Sequence, residues 1–176
     1  MKELYMIVPL LFLLSLATVP GYTQPTNRLV HEGTVKASVA DVWMVFTTKP
    51  GLESWMTSHA EIELKIGGVM KTQYDPNGTV DDATAIHNTI LSYDPLSMLS
   101  FHVSKAPEKF PFPTAIKDMW TVVYFEPKGE KETFVRFVCS GFNETSESIK
   151  MRDFFDKGNG YTLQELQKRF SDTKKE

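Results

Sequence analysis

The feature that most constrains the fold is a series of short segments in which apolar and polar residues alternate. Glu61–Ile66 alternates strictly, so Ile62, Leu64 and Ile66 are expected on the buried face of a strand. Gly67-Gly68 follows and predicts a hairpin turn, because glycine accepts a positive φ without a Cβ penalty. An antiparallel sheet is therefore the first expectation.

Comparable segments recur along the chain and are separated by short turns. Asp75–Gly78, Asp94-Pro95 and Pro127–Gly129 are the clearest of these turns. Consecutive strands joined in this way form an antiparallel meander. The predicted strands are Arg28–Ala37, Glu61–Ile66, Val69–Tyr74, Ala85–Tyr93, Met98–Ser104, Lys117–Glu126 and Glu132–Phe142.

Two short helices are predicted directly after the first strand. Ser38 is a good N-cap, and the apolar residues that follow it have helical spacing. Thr48–Gly51 ends this helix, and 52–56 is long enough only for a further turn. A long helix is predicted at 146–170, where Gly158 and Gly160 should mark a bend or a close packing point.

A proline-rich connector interrupts the strand pattern at Lys105–Ile116. It contains three prolines beside Phe110 and Phe112, and prolines exclude it from the interior of a sheet. Exposed aromatic rings need a surface to cover. Phe110 and Phe112 are therefore interpreted as a flap over the mouth of a pocket.

The N-terminal segment has the pattern of a secretory signal. Lys2 precedes the apolar run Met6–Val19, and Pro20-Gly21 breaks it near small residues suited to cleavage. We expect a signal peptide at 1–23, secretion or transfer to the periplasm, and no stable membrane span after cleavage. The alternative is a membrane anchor that is not cleaved. Residues 171–176 are predicted to be a charged tail.

Composition and motifs exclude several classes of protein. The net charge of −3 is spread over both signs, so no nucleic-acid partner is expected. Cys139 is the only cysteine, so no disulfide can form within the chain. Gly-x-Ser-x-Gly, phosphate-loop and dinucleotide patterns do not occur in the sequence, which leaves the common hydrolase, kinase and dehydrogenase classes without support.

Several longer segments together resemble the SRPBCC (START-like, helix-grip) superfamily. They are Val39–Trp43, Phe46–Trp55, Glu61–Gly68 and Thr133–Phe142. The similarity covers about 29–170, and is greatest to the branch related to the C-terminal domain of the Aha-type heat-shock chaperone ATPase activator. It implies one α+β domain at 28–170, in which a curved antiparallel sheet, with two short helices after its first strand, grips a long C-terminal helix.

The resemblance further implies a hydrophobic pocket between sheet and helix, and one departure from the branch bears on it. Many members carry Gly-Trp in the terminal helix, whereas this chain has Gly158-Asn159. An amide thus replaces a large aromatic side chain that faces the cavity.

Aromatic residues and two polar ones supply the candidates for the cavity wall. Plain core packing is the alternative for the aromatic ones, and the strand parity of Trp120 and Tyr124 is ambiguous. The candidates are His31, Trp55, Phe101, Trp120, Tyr124, Phe137, Cys139 and Phe154.

His31 and Cys139 are the candidates for chemistry. His31 shares a strand face with core residues and could act as a general base, or could be a buried, hydrogen-bonded histidine. Cys139 could be a nucleophile, although a buried, inert thiol is the favoured interpretation. The four histidines lack the spacing of metal ligands, so no metal and no cofactor are expected.

Three functions remain open from the sequence. The first is binding of a small apolar or aromatic molecule without catalysis. The second is a cyclase-like or hydrolytic enzyme that uses the same cavity. The third is protein binding, as the chaperone-related branch suggests. Ligand identity and oligomeric state do not follow from the residues.

Overall fold

A computed structural model describes residues 27–171 of the chain. The predicted signal peptide at 1–23 lies outside the described residues, and so does the predicted charged tail beyond Ser171.

One antiparallel sheet of seven strands forms most of the domain, in the order β1-β7-β6-β5-β4-β3-β2. Each strand after β2 pairs with its predecessor in sequence, while β1 closes the far edge against β7. The strands are β1 Arg28–Val35, β2 His59–Ile62, β3 Val69–Gln73, β4 Ile86–Asp94, β5 Met98–Lys105, β6 Trp120–Gly129 and β7 Glu132–Ser140.

Two short helices and one long helix complete the domain. They are α1 Val39–Thr47, α2 Lys49–Glu53 and α3 Ser146–Ser171. Ser38 caps α1 as predicted, since its side chain accepts a hydrogen bond from the Asp41 amide at 3.2 Å. The order of elements confirms the predicted α+β helix-grip fold.

The first hairpin differs from the prediction. β2 ends at Ile62, and Ile66, which was predicted to face inward, is 70% exposed. The Lys65 amide donates to the Glu63 carbonyl, and Gly67 N–H bonds to the Ile90 carbonyl at 2.8 Å. Residues 63–68 therefore form a wide turn beside β4, where the alternation of strand faces no longer applies.

The start of the sixth strand and the end of the seventh also differ. Ala115–Asp118 is a 3-10 turn, so β6 begins at Trp120 and not at Lys117. β7 stops at Ser140 because Gly141 has a φ of 94°. A Cβ at that glycine would lie 1.9 Å from the Asp118 carbonyl oxygen, so the close approach of these two chain segments requires glycine.

Buried apolar residues form two main groups and a third, small group of Leu52, Ala60 and Met70. The larger group joins α1 and α3 to the sheet, and in it Phe46 packs edge-on against Phe125 with ring centroids 5.2 Å apart. The second main group joins the 3-10 turn to α3 through Ile116, Met119 and Met151. The helix α3 runs unbroken through its two glycines, and a Cβ built on Gly160 would meet the His31 ring at 3.8 Å.

Glu147, in the first turn of α3, binds the end of the proline-rich connector to the helix. Its carboxylate accepts hydrogen bonds from the amides of Thr114 at 2.8 Å and Ala115 at 3.1 Å. These amides hold the pKa of Glu147 below its ordinary range, because they stabilise the charged form. The connector is therefore anchored to α3 by an ionised group.

Replacing Glu147 with alanine should speed hydrogen exchange at the Thr114 and Ala115 amides by about tenfold. Lowering the pH should have the same effect relative to intrinsic exchange once the pH falls through the depressed pKa of Glu147, because protonation then removes the charged acceptor. Glu144→Ala is the matched control, at an exposed glutamate just before the helix. Unchanged exchange in Glu147→Ala would show that the connector is held by other contacts.

Candidate functional site

A cavity of about 270 Å³ lies between the inner face of the sheet and the middle of α3. Its walls come from strands β3 to β7, from the connector and from α3. Phe46 of α1 and Met56, which follows α2, complete them. Most of these side chains are apolar, including Phe46, Met56, Met70, Ile86, Phe101, Val103, Phe110, Ile116, Met119, Phe137, Phe154 and Phe155. The cavity thus borders residues of both main groups of the core, and Met70 of the small group.

Strand pairing explains which residues reach the cavity. Met70 lies opposite Asn88, which lies opposite Val103 on the next strand. Paired residues of antiparallel strands share a face, so one row crosses three strands and faces the helix. The neighbouring row, which includes Phe101 and Thr121, continues the same wall.

Asn88 is the most buried amide on this wall. Its residue exposure is 7%, and its side chain makes no hydrogen bond to any part of the chain that the structure describes. Buried amides are normally hydrogen-bonded, since leaving one unsatisfied costs about 1–3 kcal/mol. Asn88 is therefore a polar group that faces an apolar space.

Thr72 and Tyr74 place two hydroxyl groups on the same side of the cavity. They lie at every second position from Met70 along β3 and its continuation, and so share its face of the strand. Burial raises the pKa of Tyr74, and the neighbouring Thr72 side chain opposes that shift. The phenol is therefore directed inward and stays protonated at neutral pH, although much of the ring is exposed.

Asn159 and Thr121 hold the thiol of Cys139 at the edge of the cavity. The Asn159 Nδ2 atom lies 3.2 Å from the Cys139 Sγ atom, and the Thr121 Oγ1 atom lies 3.3 Å from it. Burial raises the pKa of the Cys139 thiol, because a low-dielectric surrounding disfavours the thiolate. This arrangement favours a buried, inert thiol over a nucleophile.

Cys139 should react with a thiol reagent such as Ellman's reagent about a hundredfold more slowly in the folded protein than after denaturation. Burial keeps the thiol protonated and out of contact with the reagent, since the residue is 1% exposed. The absorbance change at pH 8 with and without guanidinium measures the ratio. Equal rates would show that the thiol is accessible and would reopen the nucleophile hypothesis.

Aromatic rings from the connector and α3 pack together at the mouth of the cavity. Phe154 lies 5.9 Å from Phe110 and 5.7 Å from Phe112, measured between ring centroids, and all three contacts among these rings are edge-on. Phe110 and Phe154 line the cavity, whereas Phe112 packs on both of them from outside the wall. This is where the sequence analysis places a flap.

Three of the eight candidate wall residues line the cavity: Phe101, Phe137 and Phe154. Trp120 and Tyr124 lie on the outer face of β6, where Trp120 is 41% exposed and Tyr124 lies under the Arg136 guanidinium. The predicted strand Lys117–Glu126 includes the end of the 3-10 turn, so the faces of its residues cannot be counted from its first residue. The inner row of β6 is Thr121, Val123 and Phe125.

The other three candidates lie behind or beside the wall. Cys139 lies behind Asn159 and Thr121. Trp55 packs on Phe46, and its Nε1 atom donates to the Val45 carbonyl at 3.1 Å. The His31 Nε2 atom is 3.0 Å from a carboxylate oxygen of Asp156, and neither residue lines the cavity. A general base at His31 would therefore not face the space in which a substrate could lie.

The candidates from the sequence do not include Asn88 and Thr72. Both occupy inward positions of their strands, and the pattern that indicates this is their parity with Ile90 and Met70. Asn159 was identified only as a departure from the related branch.

Among residues 27–171, no group of three or more histidine, cysteine, aspartate or glutamate side chains is arranged to hold a metal ion. None of the helices described is both long and apolar enough to cross a membrane.

Comparisons with solved structures find the same fold in several bacterial proteins. The Aha1 dimer from Colwellia psychrerythraea is 18% identical, with 81% of this chain and 95% of that chain covered and a TM-score of 0.62. A protein from Nitrosomonas europaea is 18% identical over 86% of this chain and 99% of its own, with a TM-score of 0.64. An AHSA1-like protein from Aeromonas hydrophila is 11% identical over 83% of this chain and 93% of its own, with a TM-score of 0.59.

A search of curated proteins finds no match for the chain. A family model does match, and it covers residues 36–171, well over half of the sequence. This match agrees with the resemblance inferred from the residues and with the fold described above. The chain belongs to the family of Activator of Hsp90 ATPase homolog 1-like proteins.

Proposed function

We propose that the chain is an exported protein that binds a small apolar or aromatic molecule in the cavity between its sheet and α3. The single observation that carries the proposal is the mostly apolar cavity of about 270 Å³, which borders both main groups of core residues. Protein interiors are normally packed without voids of this size. An unfilled apolar space costs stability, and a ligand would recover that loss.

The size of the cavity sets the size of the ligand. An engineered apolar cavity of about 150 Å³ binds benzene, so about 270 Å³ fits a molecule of roughly two fused rings. Larger ligands such as sterols would require the connector to move away from α3.

The chemistry of the wall favours an uncharged ligand. Among the described residues that line the cavity there is no Asp, Glu, Lys or Arg. A charged group without a partner in such a space would pay a large desolvation penalty. An apolar or aromatic molecule without formal charge fits this lining best.

Export rests on the pattern at 1–23, which has the charged start, apolar middle and break of a signal peptide. The mature protein would then act outside the cytoplasm, in the periplasm or the medium. Mass spectrometry of the protein recovered from each cell fraction would give the mature N-terminus. A full-length chain retained in the membrane fraction would favour the uncleaved anchor.

Solvent extraction of the purified mature protein, followed by mass spectrometry, tests the binding function. The expected result is a compound of about two-ring size that native mass spectrometry also detects as a retained mass on the protein. Extracts from the variant Asn159→Trp, in which an indole should fill the cavity, serve as the control. Empty protein from every source, and no binding in a screen of small aromatic compounds, would contradict the proposal.

Family membership favours a second candidate function, since the family is named for activation of the Hsp90 ATPase. Binding to that chaperone would require the two proteins to share a compartment, and the predicted export signal argues against this. A pull-down that recovers the chaperone in stoichiometric amounts would reverse the order of the two proposals. The cyclase-like or hydrolytic alternative is not favoured in the form that uses His31, because His31 does not line the cavity.

A further inference from the structure

The Asn88 side chain is the starting point, because the residue is 93% buried at the cavity wall and its side chain has no hydrogen-bond partner among residues 27–171. An asparagine amide offers two donors and one acceptor. No side chain of the described residues bonds to these groups, so they are open to whatever occupies the cavity. Such a residue is costly to keep unless something in the cavity completes its hydrogen bonds.

Thr72 extends this polar region. Met70 pairs with Asn88, so Thr72 is a diagonal neighbour of Asn88 across β3 and β4, at about 5–8 Å between Cβ atoms. Thr72 is almost fully buried, and Tyr74 lines the cavity two residues further along the same strand face. One side of the cavity therefore carries an amide and two hydroxyls, while the opposite side carries aromatic rings from Phe137 and Phe154.

We propose that the ligand is a neutral molecule with an aromatic or aliphatic ring body that bears a hydroxyl or carbonyl group, and that this group hydrogen-bonds to the Asn88 amide. The inference rests on the proposed binding function and adds the polar group that the site recognises. A hydroxyl both donates and accepts, so it matches the Asn88 amide more completely than an ether or a halogen does. A carboxylate or an amine fits less well, since none of the described wall residues is a charged Asp, Glu, Lys or Arg that could pair with it.

The wild-type protein provides the first test, with naphthalene and 2-naphthol as probes of equal ring size. Affinities are measured by NMR titration of the mature, delipidated protein. We expect 2-naphthol to bind at least about fivefold more tightly, because it satisfies a buried group that naphthalene leaves unpaired. Equal affinities would overturn the inference while leaving the binding function intact.

Asn88→Leu gives the second test, because leucine has a similar shape and no polar atoms. In this variant the preference for 2-naphthol should disappear, with the affinity for naphthalene retained or raised. Thr89→Val is the matched control, because Thr89 is the next residue of β4, points to the other face of the sheet and does not line the cavity. The control should keep the wild-type preference, and a preference that survives in Asn88→Leu would overturn the inference.

The side-chain amide resonance of Asn88 gives a readout that does not depend on a folded variant. It should shift when 2-naphthol binds and stay nearly unchanged with naphthalene. An unchanged resonance in the 2-naphthol complex would mean that a water molecule satisfies the amide, and the inference would be wrong. If neither probe binds at all, the proposed function fails together with the inference, which distinguishes that result from loss of the preference alone.

Discussion

Replacing Asn159 with tryptophan should lower the affinity for a two-ring probe such as 2-naphthol by about 30-fold or more, or about 2 kcal/mol. Asn159 lies on the cavity wall in the middle of α3, so an indole at this position would enter the space that the ligand needs. An indole is itself a two-ring system, which is the size of molecule that a cavity of about 270 Å³ holds.

NMR titration measures this loss, and circular dichroism checks that the variant is folded. The control is Lys157→Trp, which adds the same side chain at an exposed position of α3. The control should bind the probe as the wild-type protein does. If a folded Asn159→Trp variant kept full affinity, the ligand would bind outside the cavity.

Replacing Leu166 with alanine should lower the free energy of unfolding by about 3 kcal/mol and the Tm by about 10 °C. Leu166 is 0% exposed on α3 and packs within the larger group of core residues. Removing three carbon atoms from such a site leaves a void that close-packed neighbours fill only in part. The residue lies away from the cavity wall, so probe affinity should be nearly unchanged in the folded variant.

Urea unfolding followed by circular dichroism gives the free energy, and Gln164→Ala is the control at an exposed position of the same helix. The control should differ from the wild type by no more than about 0.5 kcal/mol. A loss below about 1 kcal/mol in Leu166→Ala would show that the helix is not held by packing on the sheet.

The fold could be predicted because its signals are local. Alternation in each strand, turn residues between strands and the cap at Ser38 depend on a few neighbouring residues each. Errors arose where a tertiary contact overrides that pattern. Ile66 lies in a wide turn that bonds to β4, and the 3-10 turn before Trp120 removed the reference from which strand parity could be counted.

The cavity was harder to predict than the fold. Parity indicates that Phe101, Phe137 and Asn88 face the helix, but it does not tell whether they touch the helix or an open space. That outcome depends on the separation of α3 from the sheet, which is set by the large side chains in both main groups of the core. Asn88 and Thr72 are hard to identify for a different reason: a polar residue in a strand is usually assigned to the solvent face.

Xenon binding to the mature protein is the most direct test of an open apolar interior, because xenon enters apolar cavities without needing a specific ligand. Methyl resonances of Met70, Ile86 and Met119, all on the cavity wall, should shift under a few atmospheres of the gas. The methyl groups of Val35 and Val135, which lie in the packed core, should not. If the resonances of the wall methyl groups shifted no more than those of the core methyl groups, the interior would be filled, and ligand binding in this space would be contradicted.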